Sequence, residues 1–141
     1  MASEDRQRGV ELFNATWELI GSREDDALMV HRAHSSAYHW ALAPECTPAN
    51  RARSEWLVSR VYALTGRAEP ALHHAQACLR WCEEHALGDW DLAYAHEAIA
   101  RARKVAGEDY AADVERARAV PIAEDGDREH LEEDLQELLE R

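Results

Sequence analysis

The stretch that most constrains this chain runs from Ala52 to Leu87, ARSEWLVSRVYALTGRAEPALHHAQACLRWCEEHAL. Trp56, Leu57, Val61, Tyr62 and Leu64 recur mostly at threes and fours before Thr65-Gly66-Arg67, and Ala71, Leu72, Ala75, Cys78, Leu79 and Cys82 do so after it. That is the helical period. Gly66 stands where a helix C-terminus takes φ > 0, and Pro70 falls in the first turn of the next helix, where its missing N–H costs little. The stretch therefore predicts two antiparallel helices closed over a tight turn. Such a hairpin cannot bury its apolar faces alone, so the flanking segments must supply more of the same.

They do. A first helix is expected over Glu4 to Ile20, with Val10, Phe13, Trp17 and Ile20 on one stripe and Leu12 and Leu19 beside it. Gly21-Ser22 ends it. A second follows over Asp25 to Leu42, with Asp25-Asp26 at the end where the dipole favours acid. Pro44 and Pro48 bracket a loop holding Cys46. After the hairpin and a Gly88-Asp89 break, Asp89 is the expected N-cap of an Ala-rich fifth helix, Trp90 to Ala106. Gly107 closes it. Glu108 to Ala119 form a sixth helix, ended by Pro121, and an amphipathic seventh from Asp127 places Leu131, Leu135, Leu138 and Leu139 on one face.

Strand-forming residues are scarce, and 46% hydrophobic content with only six Gly and four Pro argues a compact all-α domain spanning residues 1–141. The hairpins run roughly 4–43, 50–87 and 89–120, with a capping helix at 127–140. A net charge of −12, from 28 acidic against 16 basic residues, disfavours nucleic acid and anionic membranes as partners. Three cysteines do not suggest a disulfide framework, and Cys78 and Cys82, four apart on one helix, are poorly placed for a bridge. The polar start MASEDRQRG and the lack of a long apolar run predict a cytoplasmic protein.

Gly66 and Gly107 lie 41 residues apart, in RVYALTGRAEPALHHAQACL and IARARKVAGEDYAADVERARA. Each shows an apolar helix, Gly, an acidic residue within three, then Ala and another helix. With Trp56 and Tyr62 before the turn, and Ala71-Leu72 and Cys78-Leu79 after it, residues 50–120 resemble the tetratricopeptide-repeat superfamily. The resemblance implies a right-handed superhelix of stacked hairpins that binds a protein or peptide in its groove. The period exceeds the usual ~34 residues, and no Pro closes the second helix. Glu97 and Arg103 stand where the first hairpin has Trp56 and Tyr62. A longer-helix variant and a HEAT-like pair fit the spacing equally well.

Three constellations bear on chemistry. HRAHSSAYHW, residues 31–40, places His34 at the centre of an apolar face with Val30, Ala37 and Ala41, flanked by His31 and Tyr38; His39, Arg32 and Ser36 point the other way. His31 and His34, three apart, are candidate metal ligands, but no third ligand is fixed by spacing. The plainer reading is a hydrogen-bonded core histidine, with no metal and no cofactor. The stripe His74, Cys78, Trp81, His85 spans about 16 Å along its helix, too far for one ion, and Cys78 and Cys82 read as packing residues.

Arg53, Trp56 and Arg60 share one side of the third helix, and Trp90, Tyr94, Glu97 and Arg101 form a similar stripe on the fifth. Two Arg around a Trp suit a carboxylate or phosphate, with the indole as platform. The opposing reading pairs these Arg with the surplus acids and packs the aromatics in the interhelical seam. Asp89 and Asp91 read as capping residues, and Glu132-Glu133-Asp134 as a solvated face. No catalytic motif appears, so an enzyme is not expected. The leading expectation is a scaffold binding a protein or peptide, acidic ones included, through Arg53, Trp56, Arg60, Trp90, Tyr94 and Arg101. The alternatives are a metal or small-molecule site at His31, His34 and Tyr38, and a structural homodimer.

Overall fold

The computed structural model describes residues 1–140, which form seven helices and no strand: α1 Glu4–Ser22, α2 Asp26–Leu42, α3 Pro48–Leu64, α4 Ala68–Glu84, α5 Asp89–Ala106, α6 Ala111–Ala119 and α7 Asp125–Leu139. The all-α expectation holds. Most ends are written in the chain. Ser3, Asp25 and Thr47 cap α1, α2 and α3 through their side-chain oxygens, and Thr47 and Asn50 complete a reciprocal capping box with Pro48 at N1. Gly66 and Gly107 both take left-handed backbone, at φ 75° and 76°, and in each case the next residue's N–H returns to a carbonyl five back. Several boundaries shift: α1 runs on to Ser22, α6 starts at Ala111 rather than Glu108, α7 starts at Asp125 rather than Asp127, and Gly88 is the N-cap of α5, with Asp89, at φ 50°, its first helical residue.

Consecutive helices pack together from α1 through α6, and α5 also touches α3 and α7. That makes α5 the centre of the molecule. Eight of its residues are buried, five of them alanines, and the small side chains let four other helices close in on it. The first half of the core joins Leu19, Met29, Ala33, Leu57, Val58 and Val61 across α1, α2 and α3. The second brings Leu131, Leu135 and Leu138 of α7 onto Tyr94, Val114 and Ala117. Each of those leucines is at most 2% exposed, a burial worth about 1.5–3 kcal/mol apiece. Trp56 packs against both halves.

The buried stripes on the first two helices differ from those expected. On α1 they are Gly9, Thr16 and Leu19, while Val10 and Trp17 stay exposed. On α2 they are Met29, Ala33 and Ser36. His34 is therefore exposed rather than central, and Ser36 faces inward, where its hydroxyl donates to the Gly9 carbonyl at 2.7 Å. The reason is close approach of the two helices. A Cβ on Gly9 would lie 2.8 Å from the Trp40 ring, so small residues hold the seam and bulky ones go beside it. Leu139 likewise lies outside the buried face of α7, at 47% exposure. Among the described residues, no helix is long and apolar enough to cross a membrane.

Candidate functional site

A cavity of about 400 Å³ opens between the odd-numbered helices. Phe13 and Trp17 of α1, Ala52, Arg53, Trp56 and Arg60 of α3, Trp90, Asp91 and Tyr94 of α5, and His130 and Asp134 of α7 line it, with Cys78 of α4 behind. Its aromatic wall is continuous. Trp17 stacks on Trp56 at 5.7 Å between ring centroids, Trp56 meets Tyr94 edge-on at 5.9 Å, and Tyr94 lies 4.3 Å from Trp90. Rings that support one another in this way are stiff, and they leave π-faces toward the space they enclose. Size and lining are those of a small-molecule pocket.

Charged groups are set into this wall in a definite order. Arg53 holds both carboxylate oxygens of Asp91, at 2.9 and 3.1 Å, so Asp91 serves an ion pair as well as the helix start. Deeper in lies Glu97, fully buried. Arg101, one turn on, donates to it from Nε at 2.9 Å and brings Nη2 within 2.7 Å, and the Trp56 indole donates at 3.4 Å. Arg60 stands off from the same carboxylate at 3.6 Å, with its Nε and Nη1 sealed from solvent and without an acceptor. Burial pulls its pKa below the ordinary arginine range, against the attraction of Glu97. On the α7 side the Tyr94 hydroxyl donates to Asp134 at 2.5 Å, and His130 lies 3.5 Å from the same carboxylate. Burial, then that carboxylate, raises the Tyr94 hydroxyl far above the usual phenol range, so it stays protonated.

Five of the six residues singled out in the sequence, Arg53, Trp56, Arg60, Trp90 and Tyr94, therefore line one cavity, and Arg101 sits behind it on Glu97. Asp134 departs from its expected place. It turns inward to Tyr94 with its side chain only 19% exposed, whereas Glu133 beside it is solvated. The signal was present: Leu131, Asp134, Leu135 and Leu138 share one helical face, so an acid between three buried leucines points at the core. Of the apolar stripe on α1, Phe13 packs against the core and also lines the cavity, and Trp17, 39% exposed, is a wall of it.

The histidine-rich segment forms a separate arrangement. His34 Nε2 is hydrogen-bonded to the Tyr62 hydroxyl at 2.8 Å, and Tyr62 stacks on His74, whose Nδ1 meets Glu55 at 2.7 Å. Tyr38, 62% exposed, instead lies against His39, which pairs with Asp5. His34 and Tyr38 thus turn to different partners. Among the described residues, no group of three or more His, Cys, Asp or Glu is arranged to hold a metal ion. Cys78 and Cys82 are buried free thiols in mutual contact; that contact and burial push the Cys78 thiol well up. No family model, curated protein or solved structure matches this chain.

Proposed function

We propose that this chain is a binding protein whose ligand is a small organic molecule with a planar, aromatic part, held in the pocket between α1, α3, α5 and α7. The observation that carries the reading is the run of Trp17, Trp56, Tyr94 and Trp90 around a single cavity of about 400 Å³. Aromatic walls take a flat ligand by stacking and by removing apolar area from water, while the few charged groups set its orientation. The direct test is calorimetric titration of the purified protein with a neutral planar probe, 1-naphthylmethanol. Saturable one-to-one binding, weakened several-fold in Trp17→Ala, is expected. Trp17 suits the test because it is 39% exposed, so its loss should leave the fold standing. Absence of binding at millimolar probe would refute the reading.

One observation favours a second reading. The pocket draws its main walls from alternate helices, the pattern expected of the inner face of stacked hairpins capped by α7. A peptide laid along that face, with one aromatic side chain in the pocket, would make the chain a tetratricopeptide-like scaffold. A peptide that binds far more tightly than its isolated aromatic group would favour this reading over the first.

A further inference from the structure

Building on the aromatic pocket as the ligand site, we infer that the ligand carries an anionic group, a carboxylate or phosphate, and that Arg60 is the residue that reads it. The argument is a comparison of partners around one wall. Asp91 has both oxygens on Arg53. Glu97 is held by Arg101 at 2.7 Å and also receives the Trp56 N–H. Asp134 accepts the Tyr94 hydroxyl and has His130 beside it. Each carboxylate at the site is thus served. Arg60 is the least served of the charged groups, with Nε and Nη1 both lacking an acceptor and its contact to Glu97 longer than a hydrogen bond, whereas Arg101 lacks one only at Nη2 and bonds Glu97 through Nε.

Glu97 lies between two guanidiniums, and of the two Arg60 is the weakly held one, since Arg101 bonds Glu97 through Nε and also approaches Glu137 at 3.8 Å. Buried polar groups are normally paired, and an arginine fork is shaped for the two oxygens of a carboxylate or phosphate. Because Nε and Nη1 are sealed, engagement requires the guanidinium to turn toward the cavity, leaving Glu97 to Arg101. A cationic ligand fits less well. Arg60 already lies over the Trp56 face, at 5.8 Å, so a cation stacked there would meet it, while Asp134 on the α7 side already accepts the Tyr94 hydroxyl.

Three probes of one shape separate the possibilities: 1-naphthylacetate, 1-naphthylmethanol and 1-naphthylmethylammonium, titrated calorimetrically into the full chain. The acetate should bind about tenfold or more tightly than the alcohol, the gain expected of a charge-assisted contact, and the ammonium more weakly than either. In Arg60→Gln the acetate should fall to the level of the alcohol, with the alcohol unchanged. Arg8→Gln, on the outer face of α1 and paired with Glu4, should leave acetate affinity unchanged. If Arg60→Gln does not fold by circular dichroism, the order of the three probes on the wild-type protein decides alone. An alcohol that binds as well as the acetate, or an ammonium that binds best, overturns the inference and leaves the pocket standing. Failure of all three probes removes the pocket reading and this one with it.

Discussion

Two clusters of rings and charges lie on this small protein, and they are built on opposite terms. Between α2, α3 and α4 the rings satisfy one another: His34 on Tyr62, Tyr62 on His74, His74 on Glu55. Between the odd-numbered helices they stand around a space, and one cation in the wall lacks an acceptor. The histidine cluster is the more unusual text in the sequence. The pocket is nevertheless the better candidate for binding, because Glu97 and Arg60 are buried in its wall and Arg60 is incompletely paired. Buried, incompletely paired groups are what a ligand can improve; a partly solvated, mutually bonded set offers little.

The sharpest way to break this contrast is to remove one carboxylate from each side. Glu97→Ala strands Arg60 and Arg101 in a buried site and should cost about 3–5 kcal/mol in urea unfolding. Glu55→Ala removes a partly exposed partner of His74 and should cost less than about 1 kcal/mol. Equal costs would mean that the two clusters are electrostatically alike. A second pair sharpens the comparison at the level of one hydroxyl. Tyr94→Phe breaks a short bond to a carboxylate and should cost about 1.5–3 kcal/mol, whereas Tyr62→Phe, which loses a neutral bond at the surface, should cost about 0.5–1 kcal/mol.

Smaller still is the stability effect of Trp17→Ala, about 1 kcal/mol for a half-exposed ring that loses one stacking partner. Its effect on probe affinity should be the larger one. Last is pH. Partial desolvation of the His34 ring against Tyr62 and His74, then the charge of His74, lowers its pKa below the unfolded value near 6.5, so below that pH the unfolded chain takes up the proton more readily than the folded one. Stability therefore falls as pH drops through about 6.5 toward the lowered folded value, and is restored above it. Burial lowers His96 in the same sense. Thermal melts from pH 7.5 to 5 should show a shallow decline that His34→Gln makes shallower but does not abolish. A decline of the same depth in His34→Gln as in the wild type would show that His34 does not contribute to it.

The elements were readable because each carries its own local chemistry. Gly66 and Gly107 are needed for left-handed caps, Thr47-Pro48 opens a helix, and Leu131, Leu135 and Leu138 repeat at helical spacing. The stripe Trp90, Tyr94, Glu97, Arg101 was legible for the same reason. The joining of helices far apart in sequence was not. Nothing in the text near Asp134 says that Tyr94 lies above it, and nothing near Trp17 says that Trp56 will stack on it. Helical period also fixes a buried face only to within a residue or so. On α2 that margin decided between His34 inside and Ser36 inside, and the Gly9–Trp40 contact settled it. The charge balance around Glu97 depends on three helical positions meeting in space, and so it appears only in the fold.

The most direct test of the pocket uses the five tryptophans as reporters. In a ¹⁵N-resolved spectrum each indole N–H gives one resonance, and Trp17, Trp56 and Trp90 line the cavity, whereas Trp81 lies outside it beside His85. Titration with 1-naphthylacetate should shift the Trp17, Trp56 and Trp90 signals together along one saturating curve and leave Trp81 unmoved. Shifts confined to Trp81, or no shift in the three wall indoles at saturating probe, would contradict the account.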